Sequence, residues 1–172
     1  TEATHYLKLM QAIADEEDLD GIVIAADWEK AFDRVSWEYL RGALGELGFG
    51  DMMRGWIGAM YNDDAPPIRR VRANGVRSEP FSIHSGVPQG CPTSPLIFLL
   101  VAEALTRLVL DDEHLQGVET PDGNQHKLSQ FADDTQFMLS GFDQLPRMWD
   151  HIKLYEEATA MRANADKFVG FR

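Results

Sequence analysis

The order of segments along the chain predicts an α+β fold, an antiparallel sheet with helices packed on one face. Two observations carry this. The short β-branched run Gly21-Ile22-Val23-Ile24-Ala25-Ala26 has the length and composition of a buried strand. Far along the chain, His126 to Gln130 and Phe137 to Leu139 flank Phe131-Ala132-Asp133-Asp134, a layout that reads as two strands joined by a tight turn. Helical stretches separate these strands and a last strand closes the chain. The resulting order of strand, helices, hairpin, helix, hairpin, helix, strand contains a split βαβ unit.

The elements follow in order. Residues 4–17 place Tyr6, Leu7, Met10 and Ile13 at helical spacing. After the first strand ends at Asp27, Ser36 is a good N-cap for a helix ending at Gly48. A further helix follows Asp51 and runs to about Tyr61, although Gly42, Gly45, Gly55 and Gly58 weaken both helices. Pro66 to Arg72 and Glu79 to His84 flank Asn74-Gly75 as a hairpin. Ser94 is expected to cap a helix with Pro95 at its first position. That helix is apolar around most of its circumference to Leu110 and is expected to be buried. A helix from about Gln144 to Met161 and a strand over Phe168 to Phe171 complete the chain.

At 172 residues and 44% hydrophobic, the chain suits a single domain with a sizeable core. Its longest apolar run, Leu96 to Ala102, is far short of the roughly 18 residues a membrane span needs, so no membrane partner is expected. Neither a basic n-region nor a following apolar stretch opens the chain, so a signal peptide is not expected there. The start lacks Met and the end stops at Gly170-Phe171-Arg172, which reads as a piece excised from a longer protein. The single Cys91 excludes an intramolecular disulfide and suits a reducing compartment. A net charge of −12 argues against a nucleic-acid surface unless the acids hold cations and basic surface lies elsewhere. The local exception is Arg69, Arg70, Arg72 and Arg77.

Adjacent Asp residues repel and resist burial, so Asp133-Asp134 needs a reason. If the first strand neighbours this hairpin, Asp27 converges with both. Oxygen-only clusters suit hard cations such as Mg²⁺. Two such ions activate an attacking 3′-oxygen and stabilise a leaving pyrophosphate, the need of nucleotidyl transfer. Taken alone, Asp27 reads better as a strand-end residue making an Asx turn, and Asp133-Asp134 as a solvated turn.

Four motifs carry a resemblance. Asp27-Trp28-Glu29-Lys30-Ala31-Phe32-Asp33-Arg34-Val35-Ser36-Trp37 resembles the first palm motif of reverse transcriptases (RNA-dependent DNA polymerases) from non-LTR, LINE-type retrotransposons. Gly86-Val87-Pro88-Gln89-Gly90-Cys91-Pro92-Thr93-Ser94-Pro95 resembles their next motif, Phe131-Ala132-Asp133-Asp134 their metal-binding box, and Asn164-Ala165-Asp166-Lys167 their lysine-presenting motif. The resemblance covers residues 20 to 170 and implies a polymerase palm, RRM/ferredoxin-like, with part of the fingers. Finger motifs would precede it and a thumb would follow.

The resemblance implies that Asp27, Asp133 and Asp134 are the catalytic metal ligands, for two Mg²⁺ with Mn²⁺ as a substitute. Phe32, otherwise a core aromatic, becomes a steric gate that excludes a 2′-hydroxyl and favours deoxynucleotides. Gln89, otherwise a solvated turn amide, touches the nucleotide, and Gly90 lets backbone approach it. Lys167, otherwise a surface lysine, lies near the β/γ-phosphates as a general acid. Its segment reads Ala160-Met161-Arg162-Ala163, where the family has Gly first and a β-branched residue before Asn164. The arginine group is either a solvated hairpin face or a template and primer phosphate contact. Cys91, with no evident base partner, reads as a packed or half-buried thiol and not a nucleophile. Trp28, Trp37, Trp56 and Trp149 read as core or half-buried aromatics.

The expected function is RNA-templated DNA synthesis from a primer 3′-hydroxyl. The expected partners are RNA template, DNA primer, deoxynucleoside triphosphates and further domains of a parent protein, a thumb and an endonuclease among them. The family implies an intracellular, nuclear protein. The alternatives are a group II intron-type or domesticated reverse transcriptase, or a palm-fold relic without activity.

Overall fold

The computed structural model describes residues 21–120 and 123–171, so the helix expected over residues 4–17 lies outside the described residues. In chain order the elements are β1 (Ile22–Ala26), α1 (Ala31–Arg34), α2 (Trp37–Glu46), α3 (Asp51–Met60), β2 (Ile68–Arg69), β3 (Arg72–Ala73), β4 (Val76–Arg77) and β5 (Phe81–Ser82). There follow α4 (Ser94–Leu110), β6 (Val118–Glu119), β7 (Gln125–His126), β8 (Leu128–Phe131), β9 (Asp134–Leu139), α5 (Leu145–Thr159) and β10 (Val169–Phe171). They form two compact units. Phe32–Val101 makes one, and β1 with the chain from Ala102 onward makes the other.

The unit containing β1 is built on an antiparallel sheet of order β10-β1-β9-β8. Numbering only those strands along the chain gives 4-1-3-2, the order of the expected split βαβ fold. The strand register runs from Ile22↔Leu139 to Ala26↔Thr135. Ile22, Ile24 and Ala26 are buried opposite Leu139, Phe137 and Thr135, so the period-two pattern puts one face of the sheet in the core. Helices cover that face. Thr106 of α4 donates to Gln130 Oε1 at 2.5 Å, and Tyr155 of α5 meets Trp28 edge-on with ring centroids 5.1 Å apart. Trp28 Nε1 completes its polar bonding by donating to Thr135 Oγ1 at 2.9 Å. On the opposite face Val118 packs with Met138 and Val23. The β6–β7 hairpin that supplies Val118 is too short to show any alternation in the sequence.

In the Phe32–Val101 unit, Ser36 caps α2 as expected, its hydroxyl accepting from Tyr39 N at 3.2 Å. Trp37, Leu40 and Leu44 form the buried face of that helix. Asn74 and Gly75 both take positive φ, 50° and 81°, the type I′ pattern that joins β3 to β4 inside the β2–β5 pair. The expected hairpin is therefore present.

Three expectations need correction. Trp56 is 64% exposed, because α3 buries only Ile57 and turns Met52, Met53, Trp56 and Met60 outward. The helix expected to be buried on most sides is buried along one side, Ile97, Phe98, Val101, Leu105 and Val109, and leaves Leu96, Leu99 and Leu110 exposed. Apolar composition alone does not say which sides find a partner. Finally, Ser94 does not cap α4. The helix begins at Ser94, whose buried hydroxyl donates to Pro88 O at 2.7 Å, while Thr93 O accepts from Ile97 N. No helix among the described residues is long and apolar enough to cross a membrane.

Candidate active site

β1 ends at Ala26, paired with Thr135. Asp27 is the next residue, and because the strands are antiparallel it stands level with Asp134. Alternation along β1 and β9 puts Asp27 and Asp134 on the face opposite the helices. Phe131 pairs with Asp134, so Ala132 and Asp133 form the two-residue turn between β8 and β9. Asp133 is thus the tip residue, and Asp134 is the first residue of β9 and not part of the tip. Ala132 takes φ +54°, a left-handed conformation that costs an L residue on the order of 1 kcal/mol.

The chain from Arg162 to Lys167 docks along the end of β1. Glu29 N donates to Arg162 O at 2.8 Å, Trp28 bridges Ala163, and Asn164 N donates to Asp27 O at 2.9 Å. Lys167 Nζ then lies 3.0 Å from Asp27 Oδ2, with Asn164 Nδ2 at 3.5 Å from the same oxygen. Lys167 is thereby placed on the first-motif carboxylate, 140 residues away in sequence.

Asp27, Asp133 and Asp134 are all accessible, Asp27 with 44% of its side chain exposed. Among the described residues, no group of three or more His, Cys, Asp or Glu side chains is gathered to hold an ion. What the fold brings together is the sheet edge that carries them. Their donor set is carboxylate oxygen alone, which fits a hard divalent ion.

The remaining expected site residues belong to the Phe32–Val101 unit. Phe32 stacks on Phe98 with centroids 4.7 Å apart, and its carbonyl accepts from Val87 N at 2.8 Å. Gly86 sits beside this contact, bonded through its N to Val35 O at 2.9 Å and through its O to Trp37 Nε1 at 2.8 Å. Its φ is +82°, and a Cβ there would lie 2.6 Å from Asp33 O. The start of the Gln89 loop is therefore locked against the turn after Phe32, a role of Gly86 that its motif position did not disclose.

Gln89 and Gly90 are the exposed central residues of a turn closed by Cys91 N donating to Pro88 O at 3.3 Å. Gly90 takes φ +84°, as the third position of a type II turn demands. Nothing lies within 4 Å of its Cβ position, so backbone conformation, not crowding, accounts for this glycine. Cys91 Sγ lies 3.1 Å from Thr93 Oγ1, which lowers the thiol pKa but supplies no general base. The four arginines are exposed, with Arg72 and Arg77 directly opposed across β3 and β4. Arg69 and Arg70 line a cavity of about 510 Å³ together with Trp37, Tyr61 and Phe81.

Comparison with known proteins bears on this arrangement. The family profile described as reverse transcriptase (RNA-dependent DNA polymerase) matches residues 2–172. A "Transposon TX1 uncharacterized 149 kDa protein" of Xenopus laevis is 32% identical over 155 residues, 86% of this chain and 11% of that protein. A retrovirus-related Pol polyprotein from the type-1 retrotransposable element R2 of Popillia japonica is 29% identical over 164 residues, 95% of this chain and 25% of that protein. The chain thus spans a quarter or less of these relatives. Telomerase from Candida tropicalis in complex with a fragment of telomeric RNA superposes with a TM-score of 0.65 at 14% identity, over 98% of this chain and 29% of that one. The apo form of that telomerase gives a TM-score of 0.68 at 13% identity, over 99% of this chain and 32% of that one. These structures match in fold. The profile over almost the whole sequence and the retrotransposon relatives establish more: the chain belongs to the reverse transcriptase (RNA-dependent DNA polymerase) family.

Proposed function

We propose that this chain is the palm-containing part of a non-LTR retroelement protein that extends a primer 3′-hydroxyl with deoxynucleotides along an RNA template. The observation that carries the reading is the register of β1 against β9, which brings Asp27 level with the Asp133-Asp134 hairpin on the face opposite α4 and α5. Asp27, Asp133 and Asp134 would hold two divalent ions, Mg²⁺ or Mn²⁺, which when bound activate the attacking oxygen and neutralise charge on the pyrophosphate.

The chain's own residues supply the rest. Phe32, braced by Phe98, limits the space at the sugar. Gln89, held outward on its type II turn, contacts the incoming nucleotide. Lys167 offers a proton to the departing pyrophosphate. Arg69, Arg70, Arg72 and Arg77 contact template or primer phosphates and offset the acidity of the chain. The test is primer extension on an RNA template by the full-length protein carrying Asp27→Asn or Asp133→Asn. Loss of several kcal/mol of charge stabilisation predicts a fall of at least about 10³-fold. Retention of wild-type rates in either variant would sink the assignment.

A further inference from the structure

The Asp27–Lys167 contact is held in place from one helix. At one end of the docked segment, Ala163 N donates to Glu156 Oε1 at 2.6 Å. At the other, Phe168 stacks on Trp149 with centroids 5.1 Å apart and planes 12° from parallel. Glu156 and Trp149 both lie on α5, seven residues and about two turns apart, and so on one side of that helix. Between these anchors the short 3₁₀ turn Ala165–Lys167 aims the ammonium at Asp27 Oδ2.

We propose that Glu156 and Trp149 are positioning residues that seat Lys167 on Asp27 as an internal counter-cation, which a divalent ion displaces on binding. The inference rests on the reading of Asp27 as a metal ligand. Strand register sets Asp27 level with Asp134 at one end of the sheet, so an unpaired carboxylate there adds to the negative charge of the hairpin, and an ammonium 3.0 Å away offsets it without an ion. The pair is exposed, 64% for Lys167 and 44% for Asp27, so it is weak and readily exchanged for a divalent cation. Release of Lys167 frees it for a phosphate and transmits strain to Phe168, its chain neighbour, and thence to the Trp149 ring. Cation loading and the placement of the proton donor are thereby one event.

The experiment is titration of the full chain with MgCl₂ alone, followed by calorimetry and by tryptophan fluorescence. In the wild type Mg²⁺ changes the emission, and Trp149→Phe abolishes the change while binding persists. Lys167→Met removes the competing cation and tightens Mg²⁺ by about two- to fivefold, the range set by an exposed ion pair, with no emission change. Glu156→Ala moves the affinity toward that of Lys167→Met, whereas Glu156→Gln, which keeps the accepting oxygen, behaves as wild type. Equal Mg²⁺ affinity in wild type and Lys167→Met overturns the counter-cation role. Equal affinity in wild type and Glu156→Ala overturns the positioning role. Mg²⁺ binding that Asp27→Asn leaves unchanged overturns the metal-ligand reading, and this inference with it.

Discussion

Gly86 and Gly90 offer a matched pair for testing how the Gln89 loop is held. Both have strongly positive φ, +82° and +84°, so replacing either with Ala imposes a left-handed conformation on an L residue, at roughly 1–2 kcal/mol. They differ in what surrounds them. The Cβ at Gly90 meets nothing within 4 Å, whereas that at Gly86 meets Asp33 O at 2.6 Å, Asp33 Cα at 2.8 Å and Asp33 C at 2.9 Å, all of them backbone. Backbone cannot swing aside as a flexible side chain does. Relief of the clash must stretch the Gly86 bonds to Val35 and to the Trp37 indole, each contributing about 0.5–1.5 kcal/mol. Gly86→Ala is therefore expected to cost roughly 2–4 kcal/mol and Gly90→Ala only the roughly 1–2 kcal/mol of its backbone conformation. Urea unfolding is the assay, with a lowered midpoint and an unchanged slope in both variants. On heating, Gly86→Ala should melt roughly 5–15 °C lower. If Gly86→Ala costs no more than Gly90→Ala, the close approach of the loop to the Asp33 turn is wrong.

Other consequences follow from the same structure. Phe32→Ala in the full-length protein should admit ribonucleotides while leaving deoxynucleotide incorporation largely intact, and unchanged selectivity would remove Phe32 from the sugar site. Neutralising Arg69 and Arg70 should reduce the slope of log affinity against log salt by about 1 to 2 on single-stranded template, and an unchanged slope would place them outside the interface. Asp112 accepts from the Arg147 guanidinium, from His114 N at 2.9 Å and from His151 Nε2 at 2.6 Å, and the Arg147 bond chiefly holds its carboxyl well below the usual range. A depressed folded pKa contributes stability above the unfolded value of about 4, lost as pH falls through and below it. The urea midpoint should therefore drop between pH 5 and pH 3 more steeply in wild type than in Asp112→Asn. Parallel profiles would remove this carboxylate from the acid response.

The strands that build the site were legible because burial on one face leaves a strong imprint, in the run Ile22 to Ala26 and again in Phe137 to Leu139. The hairpin turn was legible because Asn74-Gly75 is one of few dipeptides that accept two positive φ angles. The Asp133-Asp134 pair announced itself as charge that needs a reason, and its alignment with Asp27 follows from strand register. Other features were hidden for physical reasons. Trp56 looks like core in any sequence, and its exposure depends on which side of α3 finds a neighbour. A helix apolar all round, such as Ser94 to Leu110, does not say which of its leucines stay in solvent. The crowding at Gly86 comes from backbone 53 positions earlier, since Asp33 has no sequence signature for it. The Arg147–Asp112–His151 cluster and the Lys167–Asp27 pair join residues far apart in the chain, and ion pairs at that separation leave no local pattern.

The claim on which the rest depends is that Asp27 and the Asp133-Asp134 hairpin serve one cation. Melting temperatures of the wild type, Asp27→Asn, Asp133→Asn and the double variant, each with and without MgCl₂, test it directly. A shared site predicts that Mg²⁺ raises the wild type most, that either substitution removes most of that rise, and that the double variant loses no more than either single one. An equal rise in wild type and both single variants would show that these carboxylates do not hold an ion in common.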